Sequence, residues 1–276
     1  MKLGGGEYLL CALDTNIYSE LSKDPRTYFA GLRAVLGDRP WLLCFSPYSL
    51  FELRAAPAIY ERFLDIFDVV PCAILKNEEQ LFTAEQGVYP AWQNVDPLLF
   101  GFSSLNRPKG MNLRNLLTLV FEQDETIARE EEWPSLKVEL LQNWRDLKKN
   151  YPPKGRWYQL HEARDFARRA TLQQIACRDG AWVRELKRRG ERLQWEAFPS
   201  VAMTLLTVFL RLYEPMGRTG VPQDVFDVLI STPTPYVDVV ITEGMQAEIV
   251  RKAGKLFPPI QKVRVHTLQD LRQAIS

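Results

Sequence analysis

The sequence predicts an α/β protein: a parallel sheet of four to five strands flanked by helices, interrupted by a mostly helical insertion. Three observations predict it. Apolar runs and helical patterns alternate as strand, helix, strand, helix, strand from Tyr8 to Cys72. The same alternation returns after residue 196. Between residues 86 and 195 strand-like runs are scarce and long polar helices prevail. A chain of 276 residues holds one large domain or two smaller ones, and the expected division is a discontinuous α/β domain, 1–85 with 196–276, around an insertion at 86–195.

Each element has a local reason. Tyr8 to Leu13 is an apolar run closed by Asp14, and the helical pattern after it breaks at Asp24-Pro25. Trp41 to Phe45 is the second strand. Ser46-Pro47, a capping residue followed by proline, opens a helix that carries Leu50, Phe51 and Leu53. The run Phe67 to Cys72 predicts the third strand. Toward the end of the sequence, a helix starts near Pro222, Val237 to Thr242 is a β-branched strand, Glu243 to Ala253 a helix, and Lys262 to Val265 a last strand before a final helix.

Composition excludes several classes. With 46% hydrophobic and 25% charged residues the chain is neither disordered nor fibrous. The net charge of +1 supplies no global field for a polyanion, so such a partner needs a local patch. The longest apolar stretch, Phe198 to Leu210, is 13 residues long and stops at Arg211, short of a membrane span. No secretory leader pattern opens the sequence, and Cys11, Cys44, Cys72 and Cys177 lack C-x-x-C spacing, which predicts a reduced, cytoplasmic protein. Only two histidines, His161 and His266, disfavour an imidazole zinc site or a serine or cysteine triad, and no phosphate-binding glycine loop is present. Carboxylates remain.

In an open parallel sheet, ligands gather outside the carboxyl ends of the strands. Asp14 closes the first strand, Glu52 lies on the helix after the second, and Glu243 closes the Val237 to Thr242 strand. Asp224 and Asp227 share one face of the preceding helix, and Asp238 begins the strand that follows. Each acid has an ordinary structural alternative: a helix cap for Asp14, a surface position for Glu52, a dipole-facing first turn for Asp224 and Glu243, a turn for Asp238. Gathered together without a basic partner, however, such acids repel one another unless a divalent cation neutralises them, so Mg²⁺ or Mn²⁺ is implied.

The run Cys11-Ala12-Leu13-Asp14-Thr15-Asn16 resembles the opening strand of PIN-domain nucleases, and Ser46 to Leu53, with Glu52, resembles their second motif. Val221 to Asp227 followed by Pro235 to Glu243 resembles the third and fourth, with Asp224 and Glu243 nineteen positions apart. The resemblance covers the two terminal segments and implies a metal-dependent ribonuclease that hydrolyses phosphodiester bonds. It implies Asp14, Glu52 and Asp224 as metal-binding acids, with Asp227, Asp238 and Glu243 auxiliary, and Asp14, Glu52, Asp224 and Glu243 as the catalytic set. Glu243 departs from the aspartate the family usually carries after the strand. A homodimer and an inhibitory protein partner are further associations of that family. A haloacid-dehalogenase-like phosphatase also starts with a strand-end aspartate but wants a second acid two residues on, where this chain has Asn16.

The insertion carries an acidic block, Glu122 to Glu132, and a basic one from His161 to Arg192, whose ordinary role is to pair as solvated helix faces. It also interleaves cations and aromatics: Lys148, Lys149, Tyr151, Lys154, Arg156, Trp157 and Tyr158. Phosphate-tracking charge beside stacking rings suits single-stranded nucleic acid, with Lys148, Lys149, Lys154, Arg156 and Trp157 as the contacts. RNA is the expected substrate. The alternative is a catalytically degenerate module for RNA binding or protein interaction.

Overall fold

The computed structural model describes residues 2–3, 6–102, 112–150, 158–213 and 222–275. Five parallel strands form the centre: β1 (Leu9–Leu13), β2 (Trp41–Phe45), β3 (Cys72–Leu75), β5 (Val239–Thr242) and β6 (Arg264–Thr267). A sixth strand, β4 (Leu98–Phe102), pairs antiparallel with β3, giving the order β4-β3-β2-β1-β5-β6. The sheet is therefore mixed, not purely parallel as the sequence predicts. The additional strand belongs to the stretch expected to be helical.

The strands run out from β1 to β3 on one side and from β5 to β6 on the other. Strand order reverses between β1 and β5, where Cys11 registers with Val239 and Leu13 with Ile241. Such a reversal opens a crevice at the carboxyl ends, because the helices leaving the two strands depart to opposite sides. From β1 the chain enters helix α1 (Thr15–Lys23) at once, and from β5 it enters α12 (Gly244–Leu256).

Both faces of the sheet are buried, as a parallel sheet requires. Cys11, Leu13, Leu43, Phe45, Ile74 and Ile241 meet α1, α2 (Pro25–Leu36), α3 (Pro47–Arg54), α4 (Pro57–Phe67) and α6 (Leu113–Phe121). The alternate residues Leu10, Leu42, Cys44, Ala73 and Val240 line the other face. Cys11, Cys44 and Cys72 are buried, whereas Cys177 is exposed. Where α2 crosses α13 (Leu268–Gln273), Gly31 is required: a Cβ there would lie 2.5 Å from the Leu271 carbonyl oxygen.

The third strand falls later than its sequence signal. Phe67, read as its start, is the last residue of α4, and its ring fills the buried face with Phe63 and Leu64; the ladder begins at Cys72, after Pro71. By contrast, Trp41–Phe45 is a strand as predicted, and Ser46 caps α3 by accepting from the Tyr48 amide.

The insertion does not stand apart from the rest. Helices α7 (Asp124–Asn150), α8 (Leu160–Arg178), α10 (Pro199–Tyr213), α11 (Pro222–Ser231) and α12 share one apolar core that includes Trp133, Trp144, Phe166, Phe209 and Phe226. Trp133 is the anchor of α7, with its ring edge-on to Tyr48 at 4.9 Å and against Phe226 at 5.0 Å. Among the described residues no helix is long and apolar enough to cross a membrane.

A second tie is polar. Glu85 on α5 (Glu78–Val88) is fully buried and accepts from the Ser200 amide at 2.7 Å and the Tyr236 hydroxyl at 2.5 Å. Its other oxygen, Oε2, has no hydrogen-bond partner among the described residues. Burial is the main reason its carboxyl is pushed up to about 7, against the lowering effect of these hydrogen bonds. An acid whose folded pKa is raised stabilises fully below its unfolded value and loses that contribution as pH climbs toward 7. Glu85→Gln, which mimics the protonated acid, should therefore gain on the order of 3 kcal/mol over the native chain at pH 8 and little at pH 4.5. Urea midpoints at the two pH values check this; an equal gap at both would refute it.

Candidate functional site

Asp14 ends β1 and caps α1. Its extended backbone turns the carboxylate back onto the helix start, where Oδ1 accepts from the Thr15 amide at 2.7 Å. Across the switch point, the Thr242 hydroxyl at the end of β5 donates to Oδ2, also at 2.7 Å. The capping alternative is thus real, yet it does not exhaust the side chain. Each oxygen accepts one bond and keeps a further lone pair.

Glu52 arrives from α3 and accepts from the Thr15 hydroxyl at 2.5 Å. One residue, Thr15, therefore ties the first two acids together through its amide and its hydroxyl. Burial is the main reason the Glu52 carboxyl is raised to about 7; the Thr15 hydrogen bond works against the rise, and the charges of Asp227 and Asp14 add to it. Asp227 shows the same effect: burial pushes its carboxyl up to about 6 with Asp14 contributing, although Arg211 pulls the other way. Three acids from three elements thus repel one another across a common space.

Asp224 and Asp227 do lie on one face of α11, and what they face is Arg211 on α10. The guanidinium donates to Asp224 at 2.7 Å, to Asp227 at 2.8 Å and to the Gln246 carbonyl on α12 at 2.7 Å. The Arg211 side chain is only 7% exposed. Here the structure corrects the expectation of acids without a basic partner. The partner is the residue that ends the apolar run of α10, 13 residues before Asp224 and 16 before Asp227 in sequence.

Two predicted acids sit elsewhere. Asp238 precedes β5 at its amino end, where Oδ2 accepts from the Leu10 amide at 2.8 Å and the backbone bonds to Leu10 and Arg264. A strand of four residues at about 3.3 Å per residue separates it by roughly 13 Å from the carboxyl-end cluster. Its carboxylate is a backbone cap, not part of the cluster. Glu243 stands at the correct end, but it is exposed and accepts from the Asn16 amide group at 2.5 Å on the rim.

A second cation missed by sequence reasoning comes from the insertion. Lys137 on α7 places its ammonium 3.7 Å from the centre of the Phe226 ring, and its charge acts on Glu52. Nothing in a long polar helix marks this lysine among its neighbours. Arg211 did carry a signal, as a lone charge ending a 13-residue apolar run. Of the predicted nucleic-acid contacts, Lys149 is exposed and pairs with Asp146 at 2.7 Å, and Lys148 lies near the end of α7. Lys154, Arg156 and Trp157 lie outside the described residues.

Below the cluster is a cavity of about 20 Å³ lined by Asp14, Asp227, Ser231, Thr242 and Gln246, room for about one water. Ala12, Leu13, Ile230, Val240 and Val250 make the rest of its lining apolar, and the buried Gln246 Nε2 has no hydrogen-bond partner among the described residues.

The donor set is all carboxylate oxygen, which suits a hard divalent cation. Asp14, Glu52 and Asp227 have the charge and mutual repulsion that such an ion relieves, and Thr15 and Thr242 fix the orientation of the first two. As placed, no three acidic, imidazole or thiol groups among the described residues form a ready coordination shell. The chemistry fits, and the Arg211 guanidinium holds part of the same charge. No family model, curated protein or solved structure matches the chain, so the site is read from its own geometry.

Proposed function

We propose that the chain is a PIN-like, metal-dependent nuclease that hydrolyses phosphodiester bonds of single-stranded RNA at the Asp14 cluster. The observation that carries this reading is the convergence of Asp14, Glu52 and Asp227 at the strand-order reversal, where burial raises the Glu52 and Asp227 carboxyls and the charge of Asp14 adds to both. Asp14, Glu52 and Asp227 would hold Mg²⁺ or Mn²⁺, with Asp224 reaching the site through Arg211 and Glu243 at the rim. When bound, the ion supplies an acidified water and charge stabilisation at the reacting phosphate. The protein's own part is orientation: Thr15 fixes Glu52, Thr242 fixes Asp14, and Arg211 holds α11 and α12 at a set separation.

One observation favours a second reading. Arg211 already neutralises Asp224 and Asp227, as in a domain that keeps the fold and has lost the ion. Such a module would bind RNA or protein without cutting.

The test incubates the purified chain with single-stranded RNA and single-stranded DNA in Mn²⁺, Mg²⁺ or EDTA. Cleavage of RNA that disappears in EDTA is the expected result. RNA bound but uncut in every buffer selects the second reading, and cleavage that persists in EDTA rejects a metal-dependent site.

A further inference from the structure

Helix α7 does more than fill space beside the α/β core. Its Trp133 packs on Tyr48 of α3 and on Phe226 of α11, the two helices that carry Glu52 and the Asp224–Asp227 pair. One turn further along α7, Lys137 lies over the same Phe226 ring. The insertion is therefore docked on the two walls of the cluster, and the residue it brings there is a cation.

Lys137 is placed at a cost. Burial lowers its pKa, which the charge of Glu52 only partly offsets. It makes no ion pair within 4.0 Å among the described residues, and the aromatic face holds only one side of the ammonium. A lysine whose role is to stabilise the fold would ordinarily complete a salt bridge with a nearby carboxylate. Here the acid that feels its charge, Glu52, bonds to Thr15 instead. The three N–H donors of an ammonium remain available to a small anion. Four carboxylates beside two cations, Arg211 engaged and Lys137 not, form the mixed charge that a phosphodiester needs: negative where an ion sits and positive where the phosphate lies.

We propose that Lys137 contacts a phosphate oxygen of the nucleic-acid strand at the Asp14 cluster, so that the helical insertion supplies a substrate-binding residue of the site. The inference rests on the nuclease reading above. The phosphate chemistry commits it to a nucleic-acid backbone, and Lys137 would read charge without base sequence.

The test compares the native chain with Lys137→Met, which keeps an apolar stem on Phe226, and with Lys137→Arg, which keeps the charge. A fluorescent oligouridylate is titrated in EDTA over a series of salt concentrations, so that binding is read without turnover. Loss of one phosphate contact should weaken binding by Lys137→Met roughly fivefold to tenfold. It should also reduce the slope of log affinity against log salt by about 0.7. Lys137→Arg should restore both. In cleavage assays Lys137→Met should raise KM with little change in kcat. Unchanged affinity and slope in Lys137→Met, with the native chain still cutting RNA, overturns the Lys137 assignment alone. If the native chain neither binds nor cuts RNA, the nuclease reading falls and this inference with it. If Lys137→Met is too unstable to assay, a weakened affinity or slope in Lys137→Arg also rejects a contact made through charge alone.

Discussion

Asp14→Asn should remove metal-dependent cleavage and leave the fold in place. The two effects separate because of the two bonds the side chain makes. Asparagine is as good an N-cap as aspartate, so its carbonyl oxygen keeps the bond from the Thr15 amide. The new amide group faces Thr242, whose hydroxyl can turn from donor to acceptor. The midpoint of thermal unfolding in EDTA should therefore lie close to that of the native chain. The variant loses a negative charge at the centre of the repelling acids, and a hard cation loses an anionic ligand. Outer partners of metal ligands commonly cost 10- to 100-fold when removed, so loss of a ligand itself should lower cleavage by at least about 100-fold. The same variant should lose the rise in unfolding temperature that Mn²⁺ gives the native chain, a rise that follows RT ln(1 + [Mn²⁺]/Kd). Cleavage at native rates in Asp14→Asn would place the chemistry elsewhere. An Mn²⁺ shift that survives would place the ion elsewhere.

The acids were legible because their positions follow from chain connectivity. A residue that closes a β1-type run, a glutamate in the first helix after the second strand, and two aspartates three apart at a helix start are all forced toward the carboxyl end of the sheet once the strands are parallel. Asp238 shows the limit of that reasoning. It neighbours the same strand, but it enters from the amino end, and a few residues of strand separate it from the carboxyl ends where the other acids lie. The third strand was displaced for a related reason. Phe67 is apolar because a helix buries it, and an apolar run does not record where a helix hands over to a strand. Strand β4 was not legible at all. Leu98 to Phe102 contains Gly101, follows Pro97 and takes its identity from pairing with β3, a contact made at long range.

The cations illustrate the same division more sharply. The acids nearest Arg211 and Lys137 in sequence, Glu214 and Glu139, are not the ones they meet, because each reaches the cluster across a helix interface. Tertiary packing alone assigns them, and that packing changes the electrostatic account of the site. Sequence reasoning placed like charges together and inferred an ion; the folded chain supplies part of that countercharge itself.

Arg211→Met decides how much. The side chain is almost wholly buried and holds two carboxylates and the Gln246 carbonyl. Removing one partner of a buried ion pair leaves the others uncompensated and typically costs 3–5 kcal/mol. Because the Asp227 side chain is a third exposed and water screens it, a loss of about 3 kcal/mol at pH 8 is expected. The loss should depend on pH. Burial already raises Asp227 to about 6, and without the guanidinium its pKa rises further. A carboxyl with a raised folded pKa favours the folded state below its unfolded value and withdraws that support as pH rises through the folded one. The gap between native and variant chains should therefore be small near pH 4 and widen steadily above pH 6, as read from denaturant midpoints. Mn²⁺ then becomes informative. If the cluster is built for a cation, the ion should stabilise Arg211→Met more than it stabilises the native chain, since it meets a pair of carboxylates that no guanidinium holds. An Mn²⁺ effect absent from both chains would mean that the arginine is the only cation the cluster takes, and the binding module would replace the nuclease as the reading of this fold.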